Sequence, residues 1–382
     1  MLILTFLIPI VFAIIILIFF NKKAVWWEYL ILVVPSLLIS SAIYFGMIYS
    51  SESDIEYLGE YVTGVKYYEP WDEYIHRTCT RTVGSGKHCH TVTYDCSYVE
   101  RHPAEYVQTL SNGYEYGINK TEYERLIKEW STPISFIDMN RNYYTRDGDC
   151  YAKKWDKKIE KCKTVTFVSS YKNKIKVSRS IFGFTKITPE EAKTEGLFDY
   201  PKLYSQGSST NFFSDNDTNQ TPILGKAPTS KELQLWQYIN GYYGNTKQFR
   251  AYVLFFKNKP HSIVQKQKSY WEGGNKNEFV MCFGLDSENN IQWVDAFSWS
   301  DKKDLEVNFR DFYLQKNKVN LTELGEWIKP NVSRYWVRKN FSDFDYITIE
   351  LSNTQIIWLF VIVLLFNIIM SIFIINNDVK YD

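Results

Sequence analysis

Four of the five histidines fall in one stretch, His76, His88, His90 and His102, and Cys79, Cys89 and Cys96 are interleaved with them. Imidazole nitrogens and thiolates are the ligands that zinc takes four at a time in a tetrahedral shell. The stretch contains no CxxC and no HxxxH, the close spacings of compact zinc modules. Three readings stay open: disulfides beside solvated histidines, a metal site, or neither. Asp286 and Asp295, near strand ends in the second half, add carboxylates that could hold a divalent cation or act as a general base. Their plainer reading is a turn residue and a solvated strand position. The leading cofactor expectation is none, with zinc or calcium as the alternative.

All six cysteines, Cys79, Cys89, Cys96, Cys150, Cys162 and Cys282, lie in the middle of the chain and outside its apolar runs. An even set confined to one region suits an oxidising compartment. Cys79 and Cys96 sit in two strand-like runs around Gly84-Ser85-Gly86 and could face each other across the pair. Cys150 and Cys162 flank a short polar stretch and could staple a hairpin. Cys89 and Cys282 are left over, and a bond between them is arithmetic alone.

Apolar runs at both chain ends must hold this middle region. Leu2 to Phe20 carries no charge, Tyr29 to Tyr49 follows Trp26 and Trp27, and Ile356 to Ile375 contains Trp358. Each is about the ~20 residues that cross ~30 Å of hydrocarbon. Trp and Tyr at run ends fit the interfacial aromatic belt. Nothing basic precedes the first run and Phe19-Phe20-Asn21 is a poor cleavage site, so a retained span is expected rather than a signal peptide. Lys22 and Lys23 mark the first short loop as cytoplasmic, and Glu52, Asp54 and Glu56 give an acidic exit from the second run. Parity then puts residues 51–353 outside and the tail from Asn376 to Asp382 inside. Asn367 and Ser371 lie within the third run, where an Asn seeks a partner helix in the hairpin or in another subunit. With no acid or base in mid-span, a pump, proton relay or channel built from these helices alone is not expected.

The expected architecture is a membrane-anchored α+β protein: a helical hairpin over 1–50, a β-rich Cys/His-containing subdomain over 51–204, a polar linker over 205–228, an α/β subdomain over 229–353, and a third span over 356–375. Tyr74 to Val83 and His90 to Val99 read as a hairpin, and so do Val165 to Ser170 and Lys174 to Phe184, turning near Asn173. Helices are expected over Thr121 to Trp130 and after the Thr188-Pro189-Glu190-Glu191 start. Thr229 with Glu232 forms a capping box. Ala251 to Phe256, Phe279 to Leu285 and Ile291 to Phe297 read as strands, and Ser262 to Trp271 and Asp301 to Leu314 as helices. A last helix over Leu321 to Ile328 is expected to close at Pro330.

Between about Pro228 and Leu314 this order resembles the TPM domain, an extracytoplasmic α/β domain of bacterial membrane and thylakoid proteins. The resemblance rests on a leading helix, the strand Ala251-Tyr252-Val253-Leu254-Phe255-Phe256, a second helix ending at Tyr270-Trp271, and the turn Gly273-Gly274-Asn275-Lys276-Asn277 before Phe279 to Phe283. Glu278 stands where the family has Gly. The resemblance implies phosphatase activity or a role in assembling and repairing membrane complexes. It covers less than a quarter of the chain.

Charge is balanced, 44 basic against 43 acidic residues, which gives no field for nucleic acid. No GxSxG, HExxH, Walker loop or dinucleotide fingerprint occurs. The leading expectation is a membrane-anchored interaction or structural protein supporting an envelope complex. Its partners would be the bilayer and a membrane protein or a second copy, in a cell membrane with the bulk periplasmic or extracellular. The alternatives are a membrane-bound, possibly metal-dependent and phosphatase-like hydrolase, and a transport accessory subunit. Sequons at Asn119, Asn216, Asn219, Asn320, Asn331 and Asn340 would carry glycans only on a eukaryotic secretory route.

Overall fold

The computed structural model describes residues 2–19, 26–84, 86, 89–129, 135–140, 149–154, 164–177, 182–201, 213–215, 221–349 and 351–376. Lys22, Lys23, His88, Cys162, most of the polar linker and the tail beyond Asn376 lie outside the described residues, and with them the Cys150–Cys162 pairing.

The chain begins with α1 (Leu2–Phe19) and α2 (Trp26–Glu52), then β1 (Ser53–Tyr68), β2 (Trp71–Ile75), β3 (Thr78–Val83), β4 (His90–Asp95), β5 (Tyr98–His102), β6 (Glu105–Leu110) and β7 (Glu115–Ile118). Next come α3 (Lys120–Glu129), β8 (Ser135–Asn140), β9 (Asp149–Lys154), β10 (Thr164–Lys172), α4 (Pro189–Glu195), β11 (Phe213–Asp215) and β12 (Ile223–Leu224). The last part runs α5 (Ser230–Lys247), β13 (Arg250–Lys257), α6 (Ile263–Tyr270), β14 (Glu278–Leu285), β15 (Ile291–Ser298), α7 (Asp304–Tyr313), α8 (Leu321–Tyr335) and α9 (Asn353–Asn376). Two compact units result: residues 1–55, 170–186 and 340–382, and residues 56–169 with 187–339.

In the first unit, two helices, α2 and α9, are long and apolar enough to cross a membrane. The apolar α1 is shorter and has Pro9 inside it. The three helices pack on one another through Ile16, Leu32 and Ile374. Their other sides leave Leu38, Phe45, Ile369 and Phe373 exposed. Asn367 is fully buried and donates from Nδ2 to Ser36 Oγ at 2.8 Å, and its carbonyl accepts from Ser371 Oγ at 2.7 Å. The hairpin expected over 165–184 is not found among the described residues: after β10 the chain turns, and none of the described residues from Lys174 to Phe184 is in a strand. Asn173 explains the change. Its side-chain oxygen accepts from the Ile175 amide at 3.1 Å and its Nδ2 donates to Asp54 at 2.8 Å, which ends the strand in an Asx turn.

The second unit holds two main sheets. In one, the strands run β11-β10-β1-β6-β7, with β9 also on β1 and β8 on β9. The other is β12-β13-β14-β15, parallel up to β14 and antiparallel at β15. Trp236, Ile239, Phe309, Leu324 and Ile328 pack on the face that carries Val253, Phe255, Phe279, Met281 and Phe283. Ile263, Val264, Trp271 and Ala192 cover the face of Tyr252, Leu254, Phe256, Val280 and Cys282. A sheet covered on both faces needs uninterrupted apolar strands, which is why Ala251 to Phe256 does not alternate. Thr188 and Thr229 both close capping boxes, with Glu191 and Glu232.

The last helix of this unit departs from expectation. It runs through Pro330 to Tyr335. Proline removes one helical donor, yet Leu324, Ile328 and Val332 on either side are all buried in the same core. Tyr243 Oη also donates to the Lys329 carbonyl at 2.7 Å, a further tie of this turn to α5.

Candidate functional site

β2, β3, β4 and β5 form one antiparallel ribbon, with Trp71 opposite His102 at one end and Val83 opposite His90 at the other. The Cys96 amide donates to the Arg77 carbonyl at 2.9 Å and carries the pairing across the gap between the two strand pairs. None of the described residues from Trp71 to His102 is buried. A lone two-stranded ribbon is marginal in water, so side-chain ties must supplement its ladder. The Cys79–Cys96 disulfide is the covalent tie, with its Cα atoms 5.8 Å apart. Cys79 pairs in register with Tyr94, so the bridge runs diagonally on one face.

The same ribbon holds three of the predicted histidine candidates. Glu73 and Glu100 lie directly opposite each other. His102 Nε2 is 2.9 Å from Glu73 Oε2, and its ring stacks on Trp71 with centroids 4.5 Å apart. Among the described residues, Glu73, Glu100 and His102 make the one trio of metal-type ligands, with ligand atoms within 4.8 Å of one another. His76 instead sits edge-on against Tyr74 at 4.6 Å, and His90 is exposed at the far end of the ribbon. The two glutamates went unnoticed in the sequence because only cross-strand register brings them to His102.

The other predicted acids are engaged elsewhere. Asp286 accepts from the backbone amides of Glu288 at 2.9 Å and Asn290 at 2.8 Å, and from the Asn290 and Gln292 side chains; these bonds hold its carboxyl below the usual value. Asp295 bridges Arg310, at 2.7 Å, and His261 Nε2, at 2.9 Å. His261 was not among the sequence candidates. Cys282 is a free, fully buried thiol in β14, and Cys89 is free and exposed, so these two do not form a bridge. Burial, then the Asp295 carboxylate, push the Cys282 thiol well up.

A buried polar group at the start of β13 and β14 was also not foreseen. Arg250 donates from Nε to Tyr252 Oη at 2.9 Å and lies over the rings of Tyr57 and Tyr252. Glu278 accepts from the Asn275 amide at 2.8 Å and from Tyr200 Oη. Burial raises the Glu278 carboxyl, against the hydrogen bonds from Tyr200 and Asn275 and the charge of Arg250. Burial likewise raises both tyrosines. The signal was present as a charged residue leading each apolar strand, but such a residue reads as a solvated strand end.

No family model, no curated protein and no solved structure matches this chain. Its function rests on its own residues.

Proposed function

We propose that this chain is a multi-pass membrane protein whose large extracytoplasmic domain binds a partner and supports an envelope complex. The exposed ribbon of Trp71 to His102 carries this reading. Its side chains have no core to fill, yet Tyr74, Tyr94, Tyr98 and Val99 remain about half exposed on it. Rigid aromatics with a polar tip are the residues that protein interfaces favour. The disulfide pre-orders the ribbon, which lowers the entropic cost of binding. Three helices packed together, with apolar residues facing outward, support the membrane anchor. A disulfide suits an oxidising compartment and supports export of the ribbon.

Two measurements on whole cells test this together. A membrane-impermeant maleimide should label Cys89 before lysis. A photo-crosslinking residue placed at Tyr74 or Tyr98 should give discrete adducts in the membrane fraction, and one placed at Tyr346 should not. Labelling only after lysis would overturn the topology; equal adducts from all three positions would overturn the role of the ribbon.

One observation favours a second reading, a metal-assisted hydrolase. Glu73, Glu100 and His102 present two carboxylates and an imidazole, a donor set suited to zinc. Stoichiometric zinc in the purified chain, lost in the His102→Ala variant, would favour it; a metal content unchanged by that variant would count against it.

A further inference from the structure

The carboxyl ends of β12, β13 and β14 open onto a cavity of about 300 Å³ whose lining includes Lys226, Phe255, Lys257, Leu285, Asn289 and Lys318. This is the end of a parallel sheet at which ligands of open α/β folds bind. The floor is apolar: Phe255 and Leu285 are the last inward side chains of their strands and both are buried. The rim is basic. Lys226, Lys257 and Lys318 come from the loop after β12, the end of β13 and the approach to α8, and all are exposed. Among the described residues none of the three makes a salt bridge or a side-chain hydrogen bond, and the one recorded contact is Lys226 over the Phe255 ring at 5.4 Å. Three acids lie near the rim in sequence: Asp286 is occupied within its own turn by Glu288, Asn290 and Gln292, Glu288 accepts from the Asn290 side chain at 3.4 Å, and Glu323 pairs with Lys316.

Backbone geometry holds the rim in place without a ligand. Gly225 has φ +81°, and a Cβ there would sit 2.2 Å from the Phe255 carbonyl oxygen. The loop therefore presses against β13 and brings Lys226 over the Phe255 ring. Asn289, with φ +64°, turns the β14–β15 loop where it lines the cavity.

We propose that this cavity binds a small organic molecule carrying a doubly charged oxyanion, a phosphate monoester or a dicarboxylate. Three like charges around one opening repel one another, and a dianion relieves that repulsion. Ammonium groups serve as point-charge donors to such oxygens without fixing one geometry. The apolar floor asks for a carbon body on the ligand, and the volume, at the low end of the ~300–1,000 Å³ of small-molecule pockets, asks for a small one. The site is independent of the ribbon and of the interaction role assigned to it.

The test uses the full chain in neutral detergent, titrated calorimetrically with phenyl phosphate, succinate and inorganic phosphate. Flotation with phosphatidylcholine vesicles, with and without phosphatidic acid, distinguishes a soluble ligand from a lipid headgroup. Phenyl phosphate or succinate should bind saturably and more tightly than inorganic phosphate. Lys257→Gln and Lys318→Gln should each weaken binding by about tenfold, as loss of a charge-assisted contact does. Lys257→Arg should keep most of the affinity, and Lys247→Gln, outside the cavity, should change nothing. If only the phosphatidic acid vesicles show lysine-dependent binding, the oxyanion belongs to a headgroup. Saturable binding that ignores both glutamine variants, or no saturable binding to any probe, overturns the site. Both lysines are exposed and, among the described residues, without a polar partner, so the variants should fold, which an unchanged thermal midpoint verifies.

Discussion

Gly244 of α5 lies against Gly59 of β1 so closely that a Cβ on Gly244 would sit 2.6 Å from the Gly59 Cα. The reverse contact is tighter still: a Cβ on Gly59 would lie 2.0 Å from the Asn240 carbonyl oxygen. Helix and strand thus meet backbone to backbone. Gly59→Ala or Gly244→Ala must push them apart, and overpacking of this kind costs about 1–3 kcal/mol. Thermal unfolding of either variant should show a lower midpoint than wild type. An unchanged midpoint would mean that the close approach is not part of the folded state.

The two cysteines that are free among the described residues should behave oppositely. Cys89 is exposed, whereas Cys282 is buried and its thiol is pushed well up by burial and by Asp295. Thiolate is the reactive form, so iodoacetamide should modify Cys89 in the native protein and Cys282 only after denaturation. Peptide mass mapping reads both sites. Prompt native modification of Cys282 would contradict the packing around β14.

Glu278 ties stability to pH. Its carboxyl is raised by burial above the ordinary 4.5. A carboxyl that holds its proton more tightly when folded contributes stability that is complete below 4.5 and is lost as pH rises through the folded value. Glu278→Gln cannot ionise. Its urea midpoint should therefore fall less than that of wild type as pH rises from 4.5 toward neutrality. Parallel profiles for the two proteins would show that Glu278 does not titrate differently on folding.

The ribbon should depend on its bridge more than the sheets do. Cys79 and Cys96 are 17 residues apart, and a loop of that length is stabilised by about 3 kcal/mol on closure. In the Cys79→Ser, Cys96→Ser double variant, amide exchange should speed up across Trp71 to His102 and stay unchanged in β13 and β14. Equal protection of the ribbon in both proteins would assign its order to other contacts.

Much of the second unit was legible because local signals agreed with tertiary need. Thr188 and Thr229 are followed by Glu191 and Glu232 at capping-box spacing, and Ala251 to Phe256 is apolar without a break. Pro330 carries a local stop signal, but the core that Ile328 and Val332 bury on either side of it outweighs the lost donor. The sequence marks a turn near Asn173, but its bond to Asp54 ends the strand rather than reversing it. The lysine rim was invisible for a different reason. Lys226, Lys257 and Lys318 are scattered through the sequence, and an isolated exposed lysine carries no signal until topology gathers several at one sheet edge.

β1 has a consequence for how the protein is made. Its register partners include Leu110 in β6 and Lys154 in β9, and β10 beyond them begins at Thr164. A chain that leaves the ribosome from its first residue exposes β1 long before β9 and β10 exist. During that interval β6 can cover only one side of it. The other side is an open, partly apolar edge at the start of biogenesis, and whatever machinery receives the nascent chain must shield it until the later strands arrive.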